Sequence, residues 1–571
     1  MALTKVKNVI DITADTMSDL LSMEHKTGSV QLLGFHERGD GGGGVFYWDA
    51  SEDCANHNGG TIIAGNHVLD GWTELKQTVW FTPTVGTGCW KREFSGAVNV
   101  KWFGAKGDGV TDDTKALKNV IEPLIFGEVD LPNGTFVITS TIIVDVSGLG
   151  FRSTVKVTGQ GKSLSVIDNQ SNNTAFKITS GTGITDFAYD FKLENLSITD
   201  TTSSANSIGI TLEGSRFATL NNVHISGMGS HGIYGLSVLG DYTDTAQILI
   251  NQCEILSCGG WGIYPASASG GIQYNWNIDQ CRVGLNTLGG VSLESMQNCV
   301  ISNTGIFGNA VVGVKVDKGT GTSPSSKIIK IMNCEFDTNI GVQLEASNTQ
   351  ALTIEDAYLI ANNTSFTKGI QINSTVYGCN IYRSYPRMNP TLTGKIIHQF
   401  EAGCIDVVVR DTKYQAWSDV YGSVYVINEP GVVVDDFKSR NSFYTGTYTV
   451  VVSDSSGAIV SPTTVTGYYS VNGNVVSVNF RELNNLDLIG FTTQILAVSL
   501  PFACKAGSSY GAVGTCIITS DSGVDTPLPS VGNGGGRATF QRVKTNSFLR
   551  ANELTSGVSD ISQFSLVYIK S

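Results

Sequence analysis

Three carboxylates occupy the same position in a repeated sequence pattern, and this spacing could bring them together for chemistry. Glu294, Asp317 and Glu345 each lie four residues after a glycine that an aliphatic residue follows. If the repeats stack as parallel strands, the three side chains form one outward column at about 4.7–4.9 Å spacing. Stacked like charges raise carboxyl pKa values. The column therefore suits a general acid with a base or nucleophile, or a cation site; the alternative is a solvated acidic face that Lys315 partly neutralises.

A second cluster comes from another repeated stretch of six residues, most copies of which read aliphatic, polar, Asn/Gln/Asp, small or apolar, polar, apolar. The copies begin at Leu193, Leu220, Ile250, Ile278, Ile301, Ile331 and Ile354. His224, Glu254 and Arg282 share one offset there, and Asp279 lies diagonal to Glu254. This cluster could bind an acidic sugar through Arg282 and use its carboxylates for glycosidic cleavage. The alternative is an ordinary series of ion pairs from His224 through Glu254 to Arg282.

We rank the acidic column first. Stacked like charges disfavour a sheet and so call for a functional explanation, whereas a charge-balanced series of ion pairs does not. Glu294 and Asp317 are the predicted catalytic pair, and Glu254 and Asp279 are the reserve pair. Exposed aromatic rings can also stack on sugars, although each ring alone is more often packing. The predicted substrate-binding residues are Glu345, Arg282, His224, Tyr234, Trp261 and Tyr264. The sequence leaves open which face is the cleft.

The elements that must position these residues are short strands in a solenoid. Seven Gly-Ile or Gly-Val dipeptides, here called Gly-aliphatic steps, recur at intervals of 23, 30, 28, 23, 28 and 28 residues. A period in the twenties indicates a solenoid. The units are rich in Ile, Val, Thr, Asn and Gly and lack leucine-rich-repeat spacing, so they predict a parallel β-helix. The steps begin at Gly209, Gly232, Gly262, Gly290, Gly313, Gly341 and Gly369.

Composition restricts the partners and the cellular setting. With 571 residues and a net charge of -13, the chain is a poor match for nucleic acid or an anionic membrane. We expect no membrane insertion, because no signal core or transmembrane segment is evident. Cys253, Cys281 and Cys334 share one inward position, so we expect buried thiols rather than metal ligands, and synthesis in a reducing cytosol. We expect no metal and no cofactor.

The regions on either side of the repeat differ from it. Residues 1–97 are Gly-rich and aromatic, and a short helix to about Glu122, capped by Thr111 or Asp112, should close the solenoid. Residues 440–571 are rich in β-formers, and the Asn472-Gly473 step predicts a hairpin. We therefore expect an N-terminal domain (1–97), a β-helix with its capping helix (98–439) and a β-sandwich-like domain (440–571).

Two motifs carry a family resemblance. The stretch that begins at Asn99, NVKWFGAKGDGVTDDTKAL, resembles the leading motif of pectate-lyase-like right-handed β-helix proteins. The stretch that begins at Leu32, LLGFHERGDGGGGVFYWDAS, resembles the particle-binding head of bacteriophage tailspikes. The leading motif is structural in such proteins, so it implies no catalytic role for Asp108, Asp112 or Asp113. The resemblance implies an all-β chain: a right-handed parallel β-helix with an N-terminal particle-binding domain and a C-terminal β domain for trimerisation or sugar binding.

The same resemblance implies a function. A capsule depolymerase of this kind is a homotrimer in the virion, made in the host cytoplasm and attached to a phage tail or baseplate protein through its N-terminal domain. Its substrate is a bacterial surface polysaccharide, a capsule or O-antigen. Together with the acidic column, this favours glycoside hydrolysis over β-elimination. A receptor-binding spike that grips the polysaccharide without cutting it is the competing class.

Overall fold

The computed structural model falls into two compact units. One contains residues 1–379, 383–395 and 414–421, and the other contains residues 380–382, 396–413 and 422–571. Side chains are described as far as Arg410, and beyond it the backbone of the strands is described. The described residues are 12–24, 26–65, 86–123, 126–145, 154–179, 188–189, 191–238, 245–268, 270–320, 323–361, 365–373, 375–388, 396–401, 403–410 and the strands that follow.

A small five-stranded sheet forms the N-terminal part of the first unit. Its buried core includes Val30, Phe46 and Trp90. Two short helical segments accompany it, Met17–Leu21 and the 3-10 turn Cys54–Asn56. In sheet order the strands are Thr13–Ala14, Ser29–Leu32, Gly44–Asp53, Thr87–Arg92 and Ile62–Ala64.

One buried arginine joins this sheet to the start of the β-helix. The Arg92 guanidinium lies 4.5 Å from the ring of Phe46 and 4.7 Å from the ring of Trp102, which belongs to the 3-10 turn Val100–Phe103. It also donates hydrogen bonds to the carbonyls of Gly43 at 2.6 Å and Gly42 at 2.8 Å. The glycine-rich run thus accepts the guanidinium through its backbone carbonyl groups.

The capping helix spans Thr114–Ile121 and buries Leu117, Val120 and Ile121. Its N-cap is Asp113 and not the predicted Thr111 or Asp112, although Asp112 Oδ1 accepts from Thr114 N at 2.9 Å. The Asp113 carboxylate instead closes the glycine loop, accepting from the backbone N–H groups of Lys106 and Gly107. Burial raises the pKa of Asp113 to about 6. Its role is structural, as the motif implied.

The Gly-aliphatic steps lie in one parallel sheet, here called sheet I. Inward aliphatic side chains stack from strand to strand, as where Val291 pairs with Val314 and Leu293 with Val316. Within the first unit the strands are Ile142–Asp145, Thr174–Thr179, Ile208–Glu213, Ile233–Val238, Trp261–Ala268, Gly289–Glu294, Val312–Asp317, Val342–Ala346 and Lys368–Ile372.

The second repeated stretch lies in the other long sheet, sheet II, and each copy is bent at its third residue. These residues have φ between 50° and 57°, a left-handed conformation that Asn and Asp tolerate better than most residues. This conformation explains the preference for Asn, Gln or Asp at the third position. The bent residues are Asn195, Asn222, Gln252, Gln280, Asn303, Asn333 and Asp356.

From Ala246 onward the bends divide the sheet II stretches into separate strands, whereas Lys192–Thr199 and Thr219–Ser226 continue through theirs. Those before the regular repeats are Val98–Asn99, Asp108–Asp112, Phe126–Leu131, Gly134–Ile138, Thr154–Gly159, Ser165–Asn169, Ala188–Tyr189, Lys192–Thr199, Ser215–Arg216 and Thr219–Ser226. The next are Ala246–Asn251, Glu254–Leu256, Gln273–Asp279, Arg282–Gly284, Met296–Ser302, Gly305–Phe307, Ser326–Met332, Glu335–Asp337, Thr349–Glu355, Tyr358–Ala361, Val376–Tyr382, Tyr385–Met388 and Gln415–Ala416.

The interior agrees with the predicted inward cysteine position. Cys253, Cys281 and Cys334 are buried free thiols, each no more than 2% exposed. Among the described residues, no three His, Cys, Asp or Glu side chains are grouped so that they could hold a metal ion. No described helix has the length and apolar character that crossing a membrane requires.

The second unit contains parallel pairs and two antiparallel sheets. The parallel pairs are Ile396–Phe400 with Tyr425–Ile427 and Ile405–Arg410 with Val432–Asp435. The larger antiparallel sheet contains Gly446–Val450, Val465–Asn472, Val475–Asp487, Val558–Ile569, Val513–Ser520 and Gly523–Asp525. The smaller contains Val452–Ser453, Ala497–Ser499, Arg537–Gln541 and Leu528–Val531.

These sheets agree with the predicted all-β C-terminal region. The predicted hairpin is confirmed by its strands, since Asn472 pairs with Val475 and Tyr468 with Asn479. Gly473 of the predicted turn lies outside the described residues. The domain boundaries at residues 97/98 and 439/440 stay predictions.

Candidate functional site

Glu294 and Asp317 lie side by side on the outward face of sheet I. They are direct register partners on the adjacent strands Gly289–Glu294 and Val312–Asp317. Their α-carbons are therefore separated by about one strand spacing, 4.7–4.9 Å. The structure therefore places side by side the two acids that we ranked first from the sequence.

The predicted third acid of the column is displaced. Glu345 pairs with Lys315 and Gln371 rather than following Asp317, because Val342 aligns with Val312. Gly341, with φ of 102°, precedes its strand and is not the register partner of Gly313. The expectation of three stacked acids is therefore wrong, and it failed because an equal offset from glycine was taken for an equal register.

Glu294 lies in a half-buried position with two defined partners. Its Oε1 accepts from the Tyr264 hydroxyl at 2.8 Å, and its Oε2 accepts from Ser267 N at 3.3 Å. Burial raises the pKa of Glu294 and the nearby Asp317 carboxylate adds to the rise, whereas the two hydrogen bonds and Lys315 oppose it. A carboxyl with a raised pKa can carry a proton at the pH where its neighbour is ionised.

Asp317 is held by different contacts. Its Oδ1 accepts from Lys318 N at 2.8 Å and from Asn348 Nδ2 at 2.9 Å, and its Oδ2 lies 3.6 Å from Lys315 Nζ. Its side chain remains 23% exposed. These contacts fix the direction of the carboxylate while leaving it open to a ligand on the face.

An aromatic cluster adjoins the acid pair. Trp261 and Tyr264 have ring centroids 6.1 Å apart, and Tyr234 lies 5.7 Å from Tyr264. Burial raises the pKa of Tyr234, and nearby Glu294 and Glu213 add to the rise. The three predicted aromatic binding residues are thus on the same face as the preferred catalytic pair.

His231 belongs to this cluster and was not predicted from the sequence. Its ring stacks on Tyr234 with centroids 5.5 Å apart and meets Tyr264 edge-on at 5.0 Å. Its Nδ1 accepts from Trp261 N at 3.0 Å, and burial lowers its pKa to about 4. His231 immediately precedes a repeat glycine instead of sharing an outward offset, so periodicity gave no signal for it.

The reserve cluster lies on sheet II and has its charges paired. Glu254 has His224 Nδ1 at 3.3 Å, Arg282 at 3.8 Å and Lys162 at 3.9 Å. Asp279 accepts from Ser302 Oγ at 2.7 Å and from a neighbouring Asn side chain. Partial burial acts to raise the pKa of Asp279, but these bonds outweigh it and the pKa is lowered. The contacts of Glu254 with Arg282 and Lys162 match the ion-pair alternative, whereas burial lowers the pKa of His224.

Comparisons with known families cover most of the first unit. Residues 13–95 match the family described as phage tail protein small four-stranded beta-sheet domain. Residues 97–189 match the rhamnogalacturonase A/epimerase, pectate lyase-like family, and residues 208–385 match the right handed beta helix region. These matches fall on the N-terminal sheet, the capped start of the β-helix and the regular repeats.

Two curated relatives represent different chemistries. A capsule KN3-specific depolymerase of Klebsiella phage KN3-1 is 29% identical over 197 residues, covering 32% of this chain and 24% of that protein. Mannuronan C5-epimerase AlgE3 of Azotobacter vinelandii is 26% identical over 273 residues, covering 44% of this chain and 14% of that protein. The chain therefore spans only a quarter or less of the length of these relatives.

A solved structure supports the architecture. The Dettilon tailspike protein is similar with a TM-score of 0.50 and 15% identity, covering 83% of this chain and 95% of that chain. At this identity the likeness bears on the fold alone. Taken with the family matches, the chain joins a phage-tail β-sheet domain to a right-handed β-helix whose first part matches a pectate lyase-like family.

Proposed function

We propose that this protein is a virion tailspike that binds a bacterial surface polysaccharide and hydrolyses it at the Glu294–Asp317 pair. The observation that carries the proposal is the register pairing of these two acids, of which Glu294 has a raised pKa. Glycoside hydrolysis needs two carboxyl groups in different protonation states on either side of one bond. Capsule depolymerase activity in a relative supports the substrate class.

Glu294 acts as the general acid and Asp317 as the nucleophile. Glu294 gives its proton to the leaving glycosidic oxygen as the C–O bond breaks, while an Asp317 oxygen bonds to the anomeric carbon. The Glu294 carboxylate then takes a proton from water, which attacks that carbon and releases Asp317. Adjacent strands suit the carboxyl separation of about 5–5.5 Å that retaining enzymes use, so the product keeps its anomeric configuration.

The neighbouring aromatic residues supply the sugar platform. Tyr234, Trp261 and Tyr264 present rings beside the acid pair, where a pyranose face can stack. The N-terminal domain attaches the spike to the phage tail, and three copies form the working homotrimer. The phage-tail family match to residues 13–95 supports the attachment.

The test is incubation of the purified protein with a panel of capsular and O-antigen polysaccharides. New reducing ends from one polymer, with retained anomeric configuration by proton NMR, are expected. Glu294→Gln and Asp317→Asn should each abolish the signal while leaving the sedimentation coefficient unchanged. Inversion would contradict the nucleophile role of Asp317, and binding without new reducing ends would show a spike that grips but does not cut.

β-Elimination is the second candidate function. The epimerase relative is named for mannuronan, a uronic acid polymer, and elimination requires a uronic acid. Lys315, 3.6 Å from Asp317, could neutralise the substrate carboxylate on this face. New ultraviolet absorbance from an unsaturated product, in step with the reducing ends, would replace hydrolysis with this mechanism.

A further inference from the structure

The fold fixes the proton of His231, a residue to which the proposed hydrolysis gives no role. Its Nδ1 accepts from the backbone N–H of Trp261 at 3.0 Å. Because a backbone N–H can only donate, Nδ1 carries no proton, and the neutral ring holds its single proton on Nε2. Burial lowers the pKa of His231 to about 4, so the ring is neutral at ordinary pH. His231 therefore offers Nε2–H as an uncharged hydrogen-bond donor.

This donor is not used within the described part of the chain. None of the hydrogen bonds there involves His231 Nε2, and this nitrogen is not one of the buried side-chain atoms that lack a partner. The side chain is half-buried, so Nε2–H reaches the surface of the aromatic cluster. A donor that is fixed in direction and open to solvent is available to a ligand.

Two glycines make room for the rings of the cluster. A β-carbon on Gly260 would lie 2.5 Å from Nδ1 and 2.8 Å from Cε1 of His231, and a β-carbon on Gly289 would overlap the ring of Trp261. Such distances are well inside van der Waals contact, so each ring packs directly against the backbone of the following coil. The Nδ1–Cε1 edge of His231 faces that backbone, and the opposite edge, which contains Nε2, faces away from it.

Only one aromatic ring separates His231 from the proposed general acid. The His231 ring meets Tyr264 edge-on at 5.0 Å, and the Tyr264 hydroxyl donates to Glu294 Oε1 at 2.8 Å. The His231 ring also stacks on Tyr234, with centroids 5.5 Å apart and planes inclined by 15°. The three rings are half-buried, so each presents part of its surface to a ligand. A sugar that packs on these rings has hydroxyl groups at its rim, within reach of donors in the cluster.

We propose that His231 Nε2 donates a hydrogen bond to a hydroxyl oxygen of the sugar unit that packs on Tyr234 and Tyr264, and so helps to select the sugar bound next to the acid pair. This role rests on the proposed function, because the ligand is the polysaccharide that Glu294 and Asp317 cut. An uncharged donor suits a hydroxyl group, whereas a sugar carboxylate is bound more strongly by a cation. A site that hydrogen-bonds a substrate hydroxyl discriminates against analogues that lack it. His231 is thus a specificity-determining residue for a neutral sugar unit.

The experiment separates the two nitrogens of His231 with two amide side chains. In His231→Asn the amide oxygen can replace Nδ1 and accept from Trp261 N, but the donor at Nε2 is lost. In His231→Gln the longer side chain can place its amide nitrogen near the position of Nε2, but the Nδ1 acceptor is lost. His36→Asn is the matched control, because it removes a histidine hydrogen bond elsewhere in the chain, from His36 Nε2 to Gly104 O at 2.8 Å. All three are made in the full chain carrying Glu294→Gln, so that no probe is consumed.

The probes are the same purified capsular and O-antigen polysaccharides, immobilised for biolayer interferometry at about pH 5.5 and about pH 8. His231→Asn should weaken binding at least tenfold, and by the same factor at both pH values, because the ring that it replaces is neutral at both. His231→Gln should bind within about threefold of the Glu294→Gln parent, and His36→Asn within twofold.

Three results would overturn the proposal. Equal binding by His231→Asn and the parent would show that the donor is not used, and a greater loss in His231→Gln than in His231→Asn would show that only the bond to Trp261 N matters. A loss that grows at the lower pH would show a charged histidine. No binding of any probe by the parent would overturn the proposal together with the proposed function, whereas failure of the catalytic assignment alone would appear as cleavage by the parent.

Discussion

Replacing Glu294 by Gln tests the catalytic assignment most directly, because the change removes ionisation and keeps the shape. The Tyr264 hydroxyl, now 2.8 Å from Oε1, can still donate to the amide oxygen. Only the longer 3.3 Å bond from Ser267 N is lost when an amide nitrogen replaces Oε2. Removing a half-buried charge offsets part of that loss, so the free energy of unfolding should change by about 1 kcal/mol or less.

The catalytic effect should be much larger. A positioned general acid contributes about 10²–10⁴ in rate, so kcat should fall at least ~100-fold, or about 2.7 kcal/mol in the activation barrier. KM should change little, because Gln fills the same space. The assay is initial release of reducing ends from the polysaccharide that the wild type cuts, with the urea midpoint measured alongside.

Two comparisons make the result decisive. Glu213→Gln is the matched control, since Glu213 lies on the outward face of sheet I but is paired with Lys177 at 2.7 Å, and kcat should stay within about threefold. Glu345→Gln tests the register correction and should cost less than tenfold. Full activity in Glu294→Gln, or an equal loss in Glu345→Gln, would refute the reasoning. Loss on Glu254→Gln or Asp279→Asn instead would move the cleft to sheet II.

Three further predictions concern pH and stability. Tyr264→Phe removes a hydrogen bond that lowers the pKa of Glu294, so the alkaline limb of the pH–rate profile should move to higher pH. An unmoved limb would show that Tyr264 does not influence the protonation of the catalytic acid. Burial lowers the pKa of His231 from 6.5 to about 4, so its contribution to the free energy of unfolding, up to about 3 kcal/mol, is present above pH 6.5 and is lost as the pH falls through 4. The urea midpoint of His231→Asn should therefore depend less on pH between 6.5 and 4 than that of the wild type. Equal pH dependence of the two midpoints would contradict this. Arg92→Met leaves the Gly42 and Gly43 carbonyls unpaired and should lower the free energy of unfolding by about 3 kcal/mol, against less than 1 for Lys91→Met by chemical denaturation.

The sequence alone determined the architecture, because every coil of a solenoid repeats the same inward and outward positions and therefore produces a periodic sequence pattern. Alternation within each strand identified inward positions such as Cys253 and Cys281, and equal offsets brought Glu294 and Asp317 together. The bent third residue of each sheet II stretch was also visible as a preference for Asn, Gln or Asp. These features are local, and they repeat, so one sequence contains several copies of the same signal.

Only the tertiary structure decided what depends on register and on contacts between coils. The pairing of Val342 with Val312 moved Glu345 beside Lys315, and no pattern of glycines could reveal that slip. The surroundings likewise distinguished Glu294 from Glu254, since Glu294 is desolvated next to a tyrosine and Glu254 lies near the cations Lys162 and Arg282. A carboxyl group's protonation is set by neighbours on other strands, and those neighbours are far away in the sequence.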